Sequence, residues 1–284
     1  MISNHHFYST HSDITDPGLH KVLLQDLPED VSSLCEVVQS VMLHIHWADR
    51  YGINVTKERK AEQDLRKVKR QLDLIVKRSE TKGSLKLPLE WRIFGTCRDF
   101  STLLCALMRH KKIPARPRCG FATYFDPDSS IKYDHWICEY WDEESKKWKM
   151  ADAQLDSFQQ KELTIDFNVT DIPKEVFVTA GNAWLSCRQG KADPNEYGIM
   201  DWFGLWFIKG NLVRDLLSLS KLELLPWDIN AVTGPYKNHP VEESQYPLMD
   251  AAAQITMDKD THHSILEEFV HSNSISKMPV GWSP

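Results

Sequence analysis

A chain of 284 residues, 42% hydrophobic and 26% charged, carries enough apolar surface to bury a sizeable core. Its formal charge of -6 argues against a nucleic-acid binder, which presents a basic face. No run approaches the roughly 18 apolar residues that span a bilayer, so a membrane partner is not expected.

Met1 to Pro28 are polar and irregular, the pattern of a surface wrap or an edge strand. Met1–Tyr8 has neither the basic nor the apolar region of a secretory leader. The expected location is therefore the cytoplasm, with Cys35, Cys97, Cys105, Cys119, Cys138 and Cys187 as reduced thiols. From Asp30 a helix is predicted, because Val31, Leu34, Val37, Val38, Val41 and Met42 recur on one face. It is expected to run through Leu43–Tyr51 and stop at Gly52. A long charged helix from Thr56 follows, with Ala61, Leu65, Val68, Leu72 and Ile75 as its apolar stripe. Its lysines and arginines alternate with Glu58, Glu62, Asp64 and Asp73, which reads as a solvated face. Thr81–Ser84 closes this helical part.

Gly95-Thr96-Cys97-Arg98-Asp99-Phe100 then opens a strongly apolar-periodic helix through Arg109. Ile113–Pro117 breaks it. A strand is predicted over Arg118–Phe125, with the prolines before it, and a turn over Asp126–Ser130. His135–Trp141 and Trp148–Ala153 are β-rich runs around a polar link, and so form a hairpin. Further on, Ile172–Phe177 reads as a loop entering a helix, and Ala183–Gly190 as a helix closed by its glycine. Leu205–Leu217 and Asp258–Val270 are also helical in pattern. The whole reads as one domain: a motif core at about 91–156, a helical N-terminal part at about 30–82, and a C-terminal helical extension at about 172–284.

The chemistry centres on Cys97. A helix N-terminus and a neighbouring imidazolium both stabilise a thiolate, the reactive form of cysteine. The same backbone N–H groups can donate to an oxyanion. If the hairpin turn is centred on Glu143-Glu144, His135 lies opposite Asp152; a two-residue slip leaves them diagonal on the same face. An aspartate there orients the imidazole toward a thiol. Each residue also has a plainer use: a strand histidine is commonly a satisfied polar group, and Asp152 could close a turn. The other five cysteines read as packing. No cysteine or histidine pairs have zinc-ligand spacing, and no phosphate or calcium loop is present, so neither metal nor cofactor is expected.

These residues resemble the bacterial transglutaminase-like superfamily. The carriers are Gly95–Phe100, Ile113-Pro114-Ala115-Arg116, Cys119-Gly120-Phe121, Asp134-His135-Trp136 and Ala151-Asp152-Ala153-Gln154. The resemblance implies an α+β, papain-like fold: a nucleophile helix packed on an antiparallel β-sheet, with flanking helices. It implies that Cys97 attacks an amide, ester or thioester carbonyl, that His135 exchanges the proton and that Asp152 orients His135. Trp47, Tyr51 and Trp91 are candidates for the second oxyanion donor. The substrate is then a peptide, an amide or an acyl thioester. Hydrolysis, amide-bond formation in small-molecule biosynthesis and a non-catalytic interaction module stay open. The β-sandwich domains and acidic calcium sites of animal transglutaminases have no counterpart in the sequence. Three flanking stretches, His44–Ala48, Gly210–Leu216 and Glu223–Asp228, also look similar to a bacterial subgroup but have no assigned role.

Overall fold

A computed structural model describes residues 3–79, 85–230, 232, 240–258, 261–279 and 282. They divide into two compact units, Met1–Pro117 with Ile137–Ile172, and Arg118–Trp136 with Pro173–Ser283.

The first unit opens on a short helix, α1 (Asn4–Tyr8), where the polar sequence gave no helical period. Aromatic contacts rather than an apolar stripe hold it: His5 lies 4.2 Å from Trp141, and Tyr8 meets Trp148 edge-on. Helix α2 (Val31–Val41) begins where the Asp30 carboxylate accepts the Ser33 N–H at 2.8 Å. It ends ten residues earlier than its apolar run predicts. Met42–His44 instead forms strand β1, parallel to β2 (Ile93–Gly95). Ile45–Tyr51 then makes a 3-10 turn, closed by Gly52 in the left-handed region at φ 72°. Pairing satisfied the strand's backbone where helix periodicity alone had pointed the other way.

The long charged helix is likewise broken, into α3 (Lys57–Lys60), a 3-10 turn and α4 (Val68–Arg78). Tertiary bonds account for the break. Glu62 is buried and accepts from Arg59, Arg78 and the Phe94 N–H, while the Val68 N–H goes to the Ile14 carbonyl. Burial pushes the Glu62 carboxyl up, but the two guanidinium bonds outweigh it and the net shift is downward. Thr81–Ser84 lies outside the described residues.

Helix α5 (Cys97–His110) is the centre of this unit. Its Phe100, Leu103, Leu104, Leu107 and Met108 share one apolar cluster with Leu34 and Val38 of α2, Leu72 and Ile75 of α4, and Cys138, Tyr140 and Ala151. Strand β3 (Ala115–Ala122) begins in this unit and ends in the other, and β4 (Lys132–Asp142) does the reverse. β3 starts three residues earlier than predicted and takes Pro117 into the strand. β4 pairs antiparallel with β5 (Lys147–Ala151), Asp142 level with Lys147 and Cys138 level with Ala151. Helix α6 (Ser157–Glu162) follows, capped by Asp156.

In the second unit β6 (Phe177–Thr179) pairs antiparallel with Gly120–Ala122 and leads into α7 (Ala180–Arg188). Gly120 is required there, because a Cβ would come within 2.3 Å of the Val178 carbonyl. β7 (Tyr197–Ile199) runs parallel to Lys132–Tyr133, and β8 (Trp202–Phe203) is antiparallel to β7. The sheet is therefore mixed, not purely antiparallel. Helices α8 (Leu205–Leu219), α9 (Tyr246–Met257) and α10 (His263–Ser272) complete the unit. The expected helix over Asp258–Val270 is α10 alone, starting at His263, and α9 lies in the C-terminal extension where no individual helix was predicted. Trp184, Leu212, Val213, Leu216, Met249 and Leu266 form the core. All six cysteines are free. Among the described residues no helix is long and apolar enough to cross a membrane.

His11 supplies a pH prediction. Burial first, and the Arg109 charge next, hold its imidazole down to about 4. An unfolded chain binds that proton near pH 6.5, so stability is expected to fall as pH drops from about 6.5 to 4. His11→Gln should flatten this part of the curve in urea titrations run across that window. An unchanged pH dependence would contradict the buried neutral imidazole.

Candidate active site

Cys97 is the first residue of α5, with its side chain 9% exposed, and follows Thr96 in extended conformation. The turn before it is built around Asp99. One carboxylate oxygen accepts the Thr96 backbone N–H at 2.8 Å and the Thr96 hydroxyl at 3.1 Å. The other accepts from Arg98 at 3.0 Å and from Gln71 at 3.2 Å. Burial pushes the Asp99 carboxyl upward, against the pull of Arg98 and Thr96. Gly95 makes this fold-back possible. A Cβ there would lie 2.8 Å from the Met42 sulfur and 2.9 Å from the Asp99 Cβ. One turn later the Ser101 hydroxyl donates to the Ile137 carbonyl, joining α5 to β4.

Asp152 belongs to the same unit and is buried. It sits one residue past β5, with its N–H on the Val169 carbonyl at 2.8 Å and one carboxylate oxygen accepting the Gln154 N–H at 2.9 Å. The hairpin register differs by two residues from the count on Glu143-Glu144, because the link is the four residues between Asp142 and Lys147. Extending the pairing from Cys138–Ala151 brings Ile137, not His135, level with Asp152. Side chains alternate along a strand, so Ile137 and His135 share one face of β4.

The oxyanion candidates have three different settings. Trp47 is buried, with the Arg50 guanidinium 4.3 Å above its ring. Tyr51 packs on Phe158 and donates its hydroxyl to Asp156 at 2.7 Å; burial and that carboxylate push the phenol upward. Trp91 is 40% exposed and lines a surface groove of about 440 Å³ with Arg59, Leu74, Lys77, Arg78 and Glu90.

His135 lies in the second unit and is 1% exposed. Three rings surround it edge-on: Phe125 at 5.0 Å, Tyr124 at 5.8 Å and Phe177 at 6.5 Å. Its neighbour Asp134 accepts from the Asn211 amide at 2.7 Å. Arg214 donates to the Asn211 carbonyl oxygen at 3.3 Å and to the Asp228 backbone carbonyl at 3.4 Å. Asp215 takes Arg118 through two bonds of 2.9 Å and also the Cys119 N–H at 2.9 Å. The supporting roles of Asn211, Arg214 and Asp215 were not read from the sequence. Their signal was visible as three polar residues at i, i+3 and i+4 in a mostly apolar helix, which puts them on one face.

Of the other cysteines, Cys35, Cys105, Cys119 and Cys138 are buried. Burial pushes the Cys35 and Cys138 thiols up, and Cys187, half-buried, is pushed up to about 11. Cys35, Cys138 and Cys187 are thereby held as thiols, the unreactive form. Among the described residues no group of three His, Cys, Asp or Glu side chains is arranged to hold a metal ion.

Residues 51–153 match the family model of the transglutaminase-like superfamily, a span that includes Cys97, His135 and Asp152. No curated protein matches. A solved structure from Cytophaga hutchinsonii, called a "putative cysteine protease", is 15% identical with a TM-score of 0.33. The match covers 61% of this chain and 44% of that one, so this chain spans less than half of its length. A likeness that weak adds nothing to the site. The likeness to the transglutaminase-like superfamily is thus carried by residues 51–153, within a mixed helix-and-sheet architecture.

Proposed function

We propose that the chain is a cysteine-dependent enzyme acting at an amide, ester or thioester carbonyl through an acyl-enzyme on Cys97. The observation that carries this is the setting of Cys97. It stands alone among the cysteines at the first position of a 14-residue helix, in a turn locked by Asp99, where the helix dipole favours the thiolate.

The thiolate attacks the carbonyl carbon and the carbonyl π pair moves to oxygen. Backbone N–H groups of the first turn of α5 receive that oxyanion. As the tetrahedral intermediate collapses, the bond to the leaving amine, alcohol or thiol breaks, and His135 hands it a proton. Water or an amine then gives its proton to His135 and attacks the acyl carbon, and the thiolate departs. Asp152 orients the imidazole. Peptides fit this chemistry as substrates, and an acyl thioester with an amine acceptor gives the amide-forming variant.

Iodoacetamide should modify Cys97 ahead of the other five thiols near neutral pH, with the adduct absent in Cys97→Ala. Intact-mass profiling with peptide and acyl-thioester probes should trap an acyl group on the same residue. Equal labelling of Cys97 and a buried thiol such as Cys105 would sink the proposal.

A further inference from the structure

The Gly210–Leu216 stretch of α8 contributes nothing to the chemistry above, yet two of its polar residues, Asn211 and Asp215, bond strands β3 and β4 within one unit. Asp215 takes Arg118 and the Cys119 N–H of β3, and Asn211 takes Asp134 of β4. Asp134 and His135 are consecutive in an extended strand, so their side chains leave opposite faces. One face of this position is therefore held by the rings of Tyr124, Phe125 and Phe177 against His135. The other is held by a single short amide bond from Asn211, itself braced by Arg214.

From these contacts we infer that Asn211 is a positioning residue for His135, acting through Asp134. The inference rests on His135 being the base of the proposed reaction. The Asn211–Asp134 bond is the polar restraint between α8 and the residue beside His135. The first β4 residues are pinned separately, by pairing with β7 and by Lys132 on Glu196 at 3.0 Å. Those contacts, with the pairing of β4 to β3, place the strand's backbone. The Asn211 bond adds a side-chain restraint at the residue before the imidazole.

The electrostatic surroundings agree. Burial pushes the Asp134 carboxyl up, and the Asn211 bond and then the Arg214 and His135 charges pull it back. Arg214 is in turn faced by Cys119, Asp134 and Asp228. Losing the Asn211 amide therefore frees the carboxylate's place and removes the bond that pulls the Asp134 carboxyl back down. Asp215 differs: it clamps Arg118, not the histidine strand, and its loss is a matter of stability.

The test uses the full chain with Asn211→Ser, assayed for His135 by nitrogen-15 imidazole NMR titration and for Cys97 by iodoacetamide rate. The variant is expected to stay folded, to displace the His135 titration midpoint and to slow Cys97 alkylation by about 10- to 100-fold, as misplaced catalytic groups do. The exchange Asp134→Asn with Asn211→Asp rebuilds the bond with donor and acceptor reversed. It should return alkylation to within a few-fold of wild type, and it carries the test should Asn211→Ser not fold. A folded Asn211→Ser with an unmoved His135 titration overturns the inference, as does an exchange variant no faster than Asn211→Ser. His135→Gln separates the two levels. If it leaves Cys97 alkylation unchanged, the proposed base is wrong, while the His135 titration still decides the role of Asn211.

Discussion

Asp99→Ala is expected to lower the stability of the first unit by about 3–5 kcal/mol and to erase the selective reactivity of Cys97. The size follows from what the carboxylate holds. Four donors converge on it: the Thr96 N–H, the Thr96 hydroxyl, Arg98 and Gln71. Arg98 is fully buried, so the substitution takes a counter-charge from a buried guanidinium as well as opening the turn. A helix cap alone contributes about 1 kcal/mol, so the buried charge is the larger part. Urea titration measures the stability loss and iodoacetamide mass spectrometry the reactivity. A loss under about 1 kcal/mol would mean that Arg98 finds another anion. Normal Cys97 labelling in the folded variant would mean that the turn does not depend on Asp99.

Asp215→Ala should have a comparable effect on the second unit, again about 3–5 kcal/mol. Arg118 and Asp215 are both buried and joined through two bonds of 2.9 Å, and the same carboxylate caps the Cys119 N–H. Removing it leaves one buried cation and one buried N–H without their acceptor. Arg118 also donates to the Thr256 carbonyl at 3.1 Å, so the damage extends to α9. Against a typical total of about 5–15 kcal/mol, such a loss takes a large share of the unit's stability. The double change Arg118→Met with Asp215→Leu should recover much of it, because paired apolar residues avoid the stranded charge. Denaturant unfolding of the two variants decides this. A double variant no better than Asp215→Ala would show that packing, not charge, dominates the site.

The start of α5 was legible because several local signals agree there. Gly95 permits the fold-back, Thr96 and Asp99 sit at capping spacing, and apolar residues follow at helical period. The hairpin was legible for the same reason: two β-rich runs around a polar link. Its register was not, because the link is four residues where a two-residue turn fits the sequence equally well. α2 was expected to run into Tyr51, since Leu43, Ile45 and Trp47 remain apolar. Only the parallel pairing of Met42–His44 with Ile93–Gly95, some fifty residues away, diverts it. The break after Asp64 has a similar origin in the buried Glu62 and its partners from two later segments.

What the sequence determined by itself, then, is the setting of Cys97 and the order of its candidate partners. A glycine, a cap and a helix act within about ten residues, where local preferences decide the outcome. The tertiary structure decided what lies behind each of them. Gln71, 28 residues away in sequence, reached the Asp99 carboxylate, and the unassigned Gly210–Leu216 stretch became the support of Arg118 and Asp134. Those roles depend on which distant donor reaches which carboxylate. Local sequence fixes a backbone's bias, but such a pairing forms only once the helices and strands have packed.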